Sequence, residues 1–184
     1  MKREASSIGK LAIISLVAVS IISLVIVSYF VFIGGAFAES ENTTDRSLQL
    51  VNELRVQNHV KSLKWNKQLE AAAQEKVNDI IAKKYFQHTS PTGEKAWDIV
   101  LDEGYSYIYA GENLAIDYDT VDEAMEAWKE SPSHYANIVS EKYSDYGFAQ
   151  GEGNVEGHNA KVYVQIFATR ESAVKQFVSY GEVY

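Results

Sequence analysis

The sequence predicts an α+β domain, an α-β-α sandwich in which helices cover both faces of a small, mainly antiparallel sheet, behind an N-terminal transmembrane helix. Two observations predict the sandwich: apolar residues recur with helical spacing in the first half of the chain, and the period changes to strict alternation in the second half. An uncharged apolar run from Leu11 to Ile33 predicts the transmembrane helix.

The apolar run at residues 11–33 follows a short basic segment, residues 1–10. Its 23 residues span about 34 Å as a helix, slightly more than the roughly 30 Å hydrocarbon core of a bilayer. The basic flank predicts a cytoplasmic N-terminus and an extracytoplasmic C-terminal domain in a single-pass protein of the cell membrane. The competing interpretation is a signal peptide cleaved after Ala38, which would give a secreted product, because Ala36-Phe37-Ala38 suits signal peptidase.

The remaining chain divides into a linker at residues 34–45, one domain at residues 46–170 and a tail at residues 171–184. The first 38 residues hold three basic residues and one acidic residue, so the rest carries 14 Lys and Arg against 24 Asp and Glu, a net charge of −10. This negative excess repels phosphate backbones, so we expect no nucleic-acid partner. The chain has no cysteine, which excludes disulfides and suits a bacterial cell envelope.

Three helices are predicted in the first half of the domain. The first covers about residues 46–58. The second has apolar residues at i, i+3 and i+4 spacing, begins after the N-cap Asn66 and ends near Lys84. The third covers residues 94–103 and stops at Gly104. Its residues predicted to face inward are Trp97, Val100 and Leu101.

The second half is predicted to contain three strands and one helix. Residues 111–116 are predicted to form a short strand, with the tyrosines before them in a loop over a cleft. Thr120 and Glu123 make a capping box that opens a fourth helix, and Pro132 ends it. Strands at residues 146–150 and 161–168 flank a polar, glycine-containing hairpin loop at residues 151–159.

The last predicted strand is apolar on both sides. Val162, Val164, Ile166 and Ala168 share one face, and Tyr163 and Phe167 occupy the other. A strand that is apolar on both faces is covered on both faces. This alternation predicts helices above and below the sheet.

Three polar motifs carry the candidate chemistry, and they contain His88, Glu112 and His134. Each residue lies at the edge of an apolar segment, where a side chain can point into a shared cleft. Two neutral imidazoles and a carboxylate suit a divalent metal ion, zinc first, and they equally suit a hydrogen-bonded polar cluster. The spacing leaves both alternatives open. We interpret Asn113 as structural, and His59 and His158 as exposed.

These motifs, in this order, resemble the CAP superfamily of cysteine-rich secretory, antigen 5 and pathogenesis-related 1 proteins, also called SCP-like domains. The similarity extends from about Leu48 to Ala168. Its four segments are Tyr85-Phe86-Gln87-His88, Gly111-Glu112-Asn113-Leu114-Ala115, residues 128–138 in their bacterial form, and residues 163–168. The resemblance implies an α-β-α sandwich with a cleft lined by two histidines and two acids, which binds a divalent metal in some members.

Carried over residue by residue, the resemblance assigns His88, Glu112 and His134 to this cleft. The second acid departs from the pattern, because Ser131 stands where many eukaryotic members have glutamate. Glu130 is adjacent, but helical neighbours differ in direction by about 100°, so it is predicted to point elsewhere. The disulfides and the cysteine-rich extension of the eukaryotic members are absent from this sequence.

The sequence supports a non-enzymatic binding module, tethered to the membrane, whose cleft holds a divalent metal, a small ligand or a cell-envelope component. The alternative is a metal-dependent hydrolase acting on peptide or envelope polymer, with His88 and His134 as ligands and Glu112 as third ligand or general base. A third possibility is a structural protein in which the polar cluster stabilises the fold. No motif specifies a scissile bond, so catalytic residues, enzymatic activity and oligomeric state stay open.

Overall fold

The computed structural model describes residues 43–171, which form five helices around one four-stranded sheet. The helices are α1 (Thr43–Gln57), α2 (Lys67–Lys83), α3 (Ala96–Asp102), α4 (Val121–Glu130) and α5 (Pro132–Ile138). The strands are β1 (Lys64–Trp65), β2 (Tyr107–Ile116), β3 (Asp145–Val155) and β4 (His158–Arg170). The strand order is β1-β3-β4-β2; β1 pairs with β3 in parallel, and the other two pairings are antiparallel. The predicted α+β class is confirmed, and its small sheet is mixed.

The predicted transmembrane helix at residues 11–33 lies outside the described residues. None of the helices in residues 43–171 has the length and apolar character of a membrane-crossing segment.

Helix α2 begins and ends where its sequence predicts. The side chain of Asn66 accepts hydrogen bonds from the backbone N–H groups of Gln68 and Leu69, and Lys84 ends the helix in the left-handed conformation. In α4, Thr120 accepts from the backbone N–H of Glu123 and the Glu123 carboxylate bonds back to the cap, which is the predicted capping box. Local side-chain chemistry is sufficient to specify both N-termini.

Two details of the helices correct the predictions. Leu101, predicted to face inward, is 50% exposed, and α3 instead buries Ala96, Ile99 and Val100. The chain also re-enters a helix at once after Ser131, with Pro132 in the first turn of α5. Proline ends a preceding helix but suits the first position of a new one, since its missing N–H would have no helical partner there.

Strand β2 is longer than predicted, because residues 107–110 extend it. Tyr107 and Tyr109 therefore lie in the strand and not in a loop over the cleft, and a bulge at Ile108 shifts the register between them. Tyr105 precedes the strand, is buried, and donates a hydrogen bond to Asp145 at 2.7 Å. Glu112 accordingly lies within the strand and not at its start.

The hairpin between β3 and β4 is also tighter than predicted. The strands pair as far as Val155 and His158, so the turn consists of Glu156 and Gly157, whose φ angles are 48° and 95°. Two positive φ values are what a tight two-residue hairpin requires. Residues 151–155 lack an apolar alternation because glycines occupy their buried side, so the sequence resembles a loop.

Each face of the sheet carries its own core. The first core contains residues of α2 and α3 packed on one face of β4: Leu69, Ala73, Val77, Ile80, Ile99, Val100, Val162, Val164, Ile166 and Ala168. The second contains residues of α1, α4 and α5 packed on the other: Val51, Leu54, Val121, Ala124, Met125, Trp128, Ile138, Tyr163 and Phe167. The predicted alternation of β4 is confirmed, and helices lie against both faces.

Glycines on β3 allow α2 to approach the sheet closely. A Cβ atom at Gly147 would overlap the backbone of Leu69 and Glu70 in the first turn of α2. At Gly151 it would instead meet the side-chain methyl Cγ1 of Val77 at 2.6 Å. Only glycine at position 147 leaves room for the helix backbone.

A buried arginine links α1 by hydrogen bonds to the segment that follows α5. Arg55 is 1% exposed, and its guanidinium donates to the carbonyl oxygens of Lys61, Ile138, Ser140 and Tyr143 at 2.7 to 3.3 Å. Burial lowers the pKa of Arg55, and the negative charge of Glu141 opposes that shift. These contacts satisfy carbonyls near the C-terminus of α5, so Arg55 helps to place that helix.

The outer edge of β2 is covered by side chains. Three carbonyl oxygens of alternate residues, those of Ala110, Glu112 and Leu114, point away from β4. They accept hydrogen bonds from the Tyr143 hydroxyl at 3.3 Å, the Asn137 amide at 3.2 Å and the Trp128 indole at 2.9 Å, respectively. Residues of α4, α5 and the following loop are thereby attached to the strand that carries Glu112.

Candidate functional site

His88 and Glu112 form a direct hydrogen-bonded pair. Nδ1 of His88 lies 2.6 Å from Oε1 of Glu112. The Glu112 side chain is completely buried, whereas that of His88 is 55% exposed. An ionised carboxylate can only accept, so in this pair Nδ1 carries the proton. In the neutral ring Nε2 is then the acceptor, free to bind a metal or a donor group.

The environment of His88 favours its protonated form. The hydrogen bond to Glu112 raises the pKa of His88 above 6.5, burial opposes this, and the negative charge of Glu112 adds to the rise. The positive charge of Lys76 also lowers the pKa of His88. Glu112 therefore binds the ring and is the largest cause of its raised pKa.

His134 belongs to α5 and has the opposite electrostatic setting. Burial lowers the pKa of His134 below 6.5, and the charge of His88 lowers it further. His134 is thus neutral at pH 7, which is the state that binds metals. Its backbone carbonyl accepts a hydrogen bond from the Asn113 amide at 3.1 Å, which is the structural role predicted for Asn113.

The amide side chains of Asn113, Asn137 and Gln165 connect the site to the core. Asn113 donates to Oε1 of Gln165 at 3.0 Å, and its own oxygen accepts from Asn137 at 2.8 Å. Asn113 and Gln165 are completely buried. Within residues 43–171, the buried Nε2 of Gln165 has no hydrogen-bond partner. The bonds made by Asn113 and Asn137 link α5 to β2, which carry His134 and Glu112 respectively.

Gly111 makes room for this arrangement. A Cβ atom at this position would overlap the hydroxyl of Tyr143 and would approach Oδ1 of Asn137 to 3.2 Å. The Gly-Glu-Asn motif therefore has three separable functions. Gly111 provides space, Glu112 binds His88, and Asn113 holds α5.

A small, largely apolar cleft opens beside His134. Its volume is about 270 Å³. It lies between β2 and α4, with His134 and Ser131 as its polar lining residues. Its other lining residues are Phe86, Leu114, Ala115, Ile116, Tyr118, Ala127 and Trp128. The cleft combines an imidazole with an apolar wall, which is typical of small-ligand sites.

The second acid of the family pattern does not enter this cleft. Ser131 lines it, while Glu130 lines a separate surface groove together with Leu50 and Glu126. This direction agrees with the helical geometry predicted for Glu130. Glu112 is therefore the acid that the structure assigns to the candidate site.

The predicted zinc site of His88, Glu112 and His134 stays a prediction. Across residues 43–171, no group of three or more His, Cys, Asp or Glu side chains is arranged to hold a metal ion. The structure joins His88 to Glu112 and places His134 within the electrostatic reach of His88. Of the other histidines, His59 is exposed and His158 pairs with Asp117 at 2.9 Å.

Sequence reasoning missed two polar residues that support the site, Lys76 and Gln165. Both are completely buried. Gln165 occurs in an otherwise apolar strand, and Lys76 lies between Ala73 and Ile80 on the apolar face of α2. In both cases, the sequence indicates the residue by a single polar side chain at a position where the pattern is otherwise apolar.

We predict that Glu112→Gln lowers the pKa of His88. The substitution removes the carboxylate that accepts the Nδ1 proton, which is the largest cause of the raised pKa. In the wild type, this pair stabilises the fold fully below the unfolded-state pKa of about 6.5, and the contribution is lost as the pH rises through the folded-state pKa. An NMR titration of the His88 ring protons measures the change.

Glu94→Gln is the matched control, because the Glu94 carboxylate pairs with Lys83 at 3.7 Å and not with His88. It should leave the titration of His88 close to that of the wild type. The same His88 pKa in Glu112→Gln and Glu94→Gln would show that the pair has no special role.

Comparison with known sequences supports one family. A family model described as CAP, the cysteine-rich secretory protein family, matches residues 48–167. The uncharacterized protein YkwD of Bacillus subtilis is 32% identical over 123 residues, which cover 61% of this chain and 48% of that protein. The uncharacterized membrane protein YlbC of the same species is 29% identical over 124 residues, covering 67% of this chain and 33% of that protein. The chain thus spans a third to a half of the length of the curated relatives it matches.

Comparison with solved structures supports the fold. An extracellular protein containing an SCP domain from Bacillus anthracis superposes with a TM-score of 0.61 and 25% identity, covering 70% of this chain and 40% of that chain. An outer surface protein of Borrelia burgdorferi superposes with a TM-score of 0.60 and 21% identity, covering 67% of this chain and 90% of that chain. The second likeness concerns the fold alone.

Proposed function

The chain belongs to the CAP family of cysteine-rich secretory proteins, and we propose that it is an exported, membrane-tethered binding module whose His88–Glu112 pair and His134 cleft together hold a divalent metal ion or a small ligand. The module is non-enzymatic in this proposal. It recognises a component of the bacterial cell envelope or a small molecule that reaches the outer face of the membrane.

The observation that carries the proposal is the half-satisfied Glu112. Its Oε1 contacts His88, but its buried Oε2 has no hydrogen-bond partner within residues 43–171. Leaving a buried acceptor without a partner costs about 1–3 kcal/mol. A cation or donor group that contacts Oε2 would compensate that cost, which supports ligand binding at this place.

The donor set fits a divalent ion such as zinc, because imidazole nitrogens and carboxylate oxygens are its usual ligands besides thiolates. His88 and His134 would hold the ion, with Glu112 as third ligand or as hydrogen-bond partner of His88. A bound ion supplies positive charge next to a buried carboxylate and polarises a ligand's oxygen atom. The apolar wall of Phe86 and Trp128 then favours a ligand with a small apolar group beside its polar end.

The location outside the membrane rests on the N-terminal sequence. The uncharged run at residues 11–33 is long enough to span a bilayer and follows a basic segment. One similar Bacillus subtilis protein is called a membrane protein, and the similar Bacillus anthracis structure is called an extracellular protein. Both descriptions agree with an anchored domain on the outer face.

We predict that the full-length protein binds zinc weakly or moderately. His88→Ala and His134→Ala should each weaken binding by roughly tenfold or more, because each removes a donor or its support. Binding should also weaken at acid pH, since ligating imidazoles must lose their protons. Calorimetric titration of the protein in detergent measures the affinities.

The matched control for the zinc titration is His158→Ala, which removes an exposed histidine paired with Asp117. It should bind zinc like the wild type. Indistinguishable affinities for the wild type, His88→Ala and His134→Ala would rule out this site.

We predict separately that the expressed chain sediments with membranes and keeps its N-terminal segment. The apolar run exceeds the roughly 7–15 residues usual for a signal-peptide core. Fractionation followed by N-terminal sequencing measures this. A soluble product that begins at Glu39 would show cleavage after Ala38. It would contradict the proposal that residues 11–33 are retained as a membrane anchor.

A further inference from the structure

Lys76 is a buried cation that contacts the backbone of the candidate site. It is 0% exposed, although lysine is almost never fully buried unless it is paired. Its ammonium donates to the hydroxyl of Tyr85 at 2.9 Å and to the backbone carbonyl of His88 at 3.0 Å. The ammonium also lies 5.0 Å from the centre of the Tyr85 ring. Burying a charge costs free energy through desolvation, so the contacts of Lys76 must offset that cost.

A second lysine holds the other side of the same segment. Lys83 contacts Asp79 at 2.5 Å and the hydroxyls of Ser90 and Thr92 at 3.1 and 3.2 Å. The Tyr85 hydroxyl bonds to Asp79 and so joins the two lysines. His88 therefore lies in an irregular segment that side chains of α2 contact both before and after His88. Lys76 makes the contact at His88 itself.

We propose that Lys76 is a positioning residue for His88: by binding the His88 carbonyl it fixes the turn that directs Nδ1 of the imidazole to Glu112 and leaves Nε2 for a ligand. The final clause rests on the proposed function, whereas the positioning of the ring does not. Half of the His88 side chain is exposed, so packing alone constrains the ring little. The orientation then depends on Glu112 at the ring and on the backbone contacts of the segment. Lys76 binds the carbonyl of His88 itself, and Thr89 bridges to Lys95 beside it.

The charges around Lys76 are consistent with this role. Burial lowers the pKa of Lys76, and the negative charges of Glu112 and Asp79 raise it. The ammonium is thus within electrostatic reach of the carboxylate that holds the His88 ring. An apolar residue at position 76 would leave the His88 carbonyl without this donor and Glu112 without this neighbouring cation.

The test is the ring N–H spectrum of His88 in full-length, ¹⁵N-labelled protein kept in detergent, without any metal. The wild type should show an Nδ1–H resonance protected from exchange by the Glu112 bond. Lys76→Met should broaden or remove this resonance. Lys76→Arg keeps an N–H donor for the His88 carbonyl and should restore it. Zinc affinity, measured in parallel, should fall at least about tenfold in Lys76→Met.

Two controls separate positioning from general destabilisation. Tyr85→Phe removes the other partner of the ammonium and should lower stability while keeping the His88 resonance. Lys129→Met removes an exposed lysine that pairs with Glu126. It should change neither the stability of the protein nor the His88 resonance. A protected Nδ1–H resonance in Lys76→Met, or its equal loss in Tyr85→Phe, would overturn the proposal.

Failure of both Lys76 variants to fold would also overturn the proposal, because it would make Lys76 a purely structural residue. Failure of the proposed function has a different signature. In that case the wild type would bind no zinc while its His88 resonance still depended on Lys76.

Discussion

Replacing Gly147 with alanine is expected to destabilise the domain by about 3 kcal/mol or more, at the upper end of overpacking effects. The added Cβ would overlap the backbone of Leu69 and Glu70, where α2 begins. A backbone cannot rotate away as a side chain can, so the helix or the strand must move. Moving α2 would disturb the core on that face of the sheet. Urea denaturation followed by circular dichroism measures the loss of stability.

Gly151→Ala is the matched control for this experiment, because both glycines lie on the same face of β3. Its Cβ would meet a methyl group of Val77 at 2.6 Å and a methyl group of Ile81 at 3.3 Å. Side chains of this kind can change rotamer, so we expect a loss of only about 1 kcal/mol. Equal urea midpoints for the two variants would contradict the close approach of α2 at Gly147.

Arg55→Met is expected to destabilise the domain by about 4 kcal/mol. The substitution keeps a long apolar side chain but leaves up to four carbonyl oxygens without their donor, and a hydrogen bond to a charged group contributes about 1.5–3 kcal/mol. Two of these carbonyls, those of Ile138 and Ser140, lie at and after the C-terminus of α5. Since α5 carries His134, the zinc affinity that we propose should fall together with stability.

The control for Arg55 is Arg46→Met, which removes an arginine near the surface that pairs with Asp122 at 2.5 Å. Pairs of this kind contribute about 1 kcal/mol or less. Thermal and urea unfolding of the two variants give the comparison. If Arg55→Met unfolded at the same urea concentration as Arg46→Met, the buried guanidinium would not be the structural tie described above.

Those parts of the fold that depend on local chemistry could be predicted from the sequence. The N-cap at Asn66 and the capping box at Thr120 act within a few residues, so their patterns identify the helix starts directly. The alternation of β4 could be read because both faces of the strand are buried by apolar side chains. In these segments, local preference and tertiary packing favour the same structure.

Other parts depend on contacts that the sequence does not display. The sequence at the end of β3 resembles a loop because Gly151 and Gly153 occupy its buried side, where α2 leaves no space for larger residues. Leu101 looked like a core residue because its type is apolar, yet tertiary packing leaves it half exposed. Helix α5 is not evident from the sequence, because Pro132 is compatible both with the end of one helix and with the start of another.

The candidate site divides in the same way. Sequence motifs brought His88 and Glu112 to attention, and the structure joins them at 2.6 Å. The role of Asn113 was also predicted. Lys76 was missed, although a lone lysine between Ala73 and Ile80 on an apolar helix face was the clue. Its partners come from the segment after the helix, and only the folded chain shows that they converge.

The occupied carbonyls along β2 bear on how the protein behaves when many copies are crowded together. A bare sheet edge is a template on which another chain can add a strand and start an aggregate. Here Asn137, Trp128 and Tyr143 already hold the acceptors that an incoming strand would need. Two of these side chains also belong to the site, one beside Glu112 and one in the cleft wall. Replacing either of these side chains is therefore expected to alter the surroundings of Glu112 or the cleft wall and also to leave a β2 carbonyl available to an incoming strand.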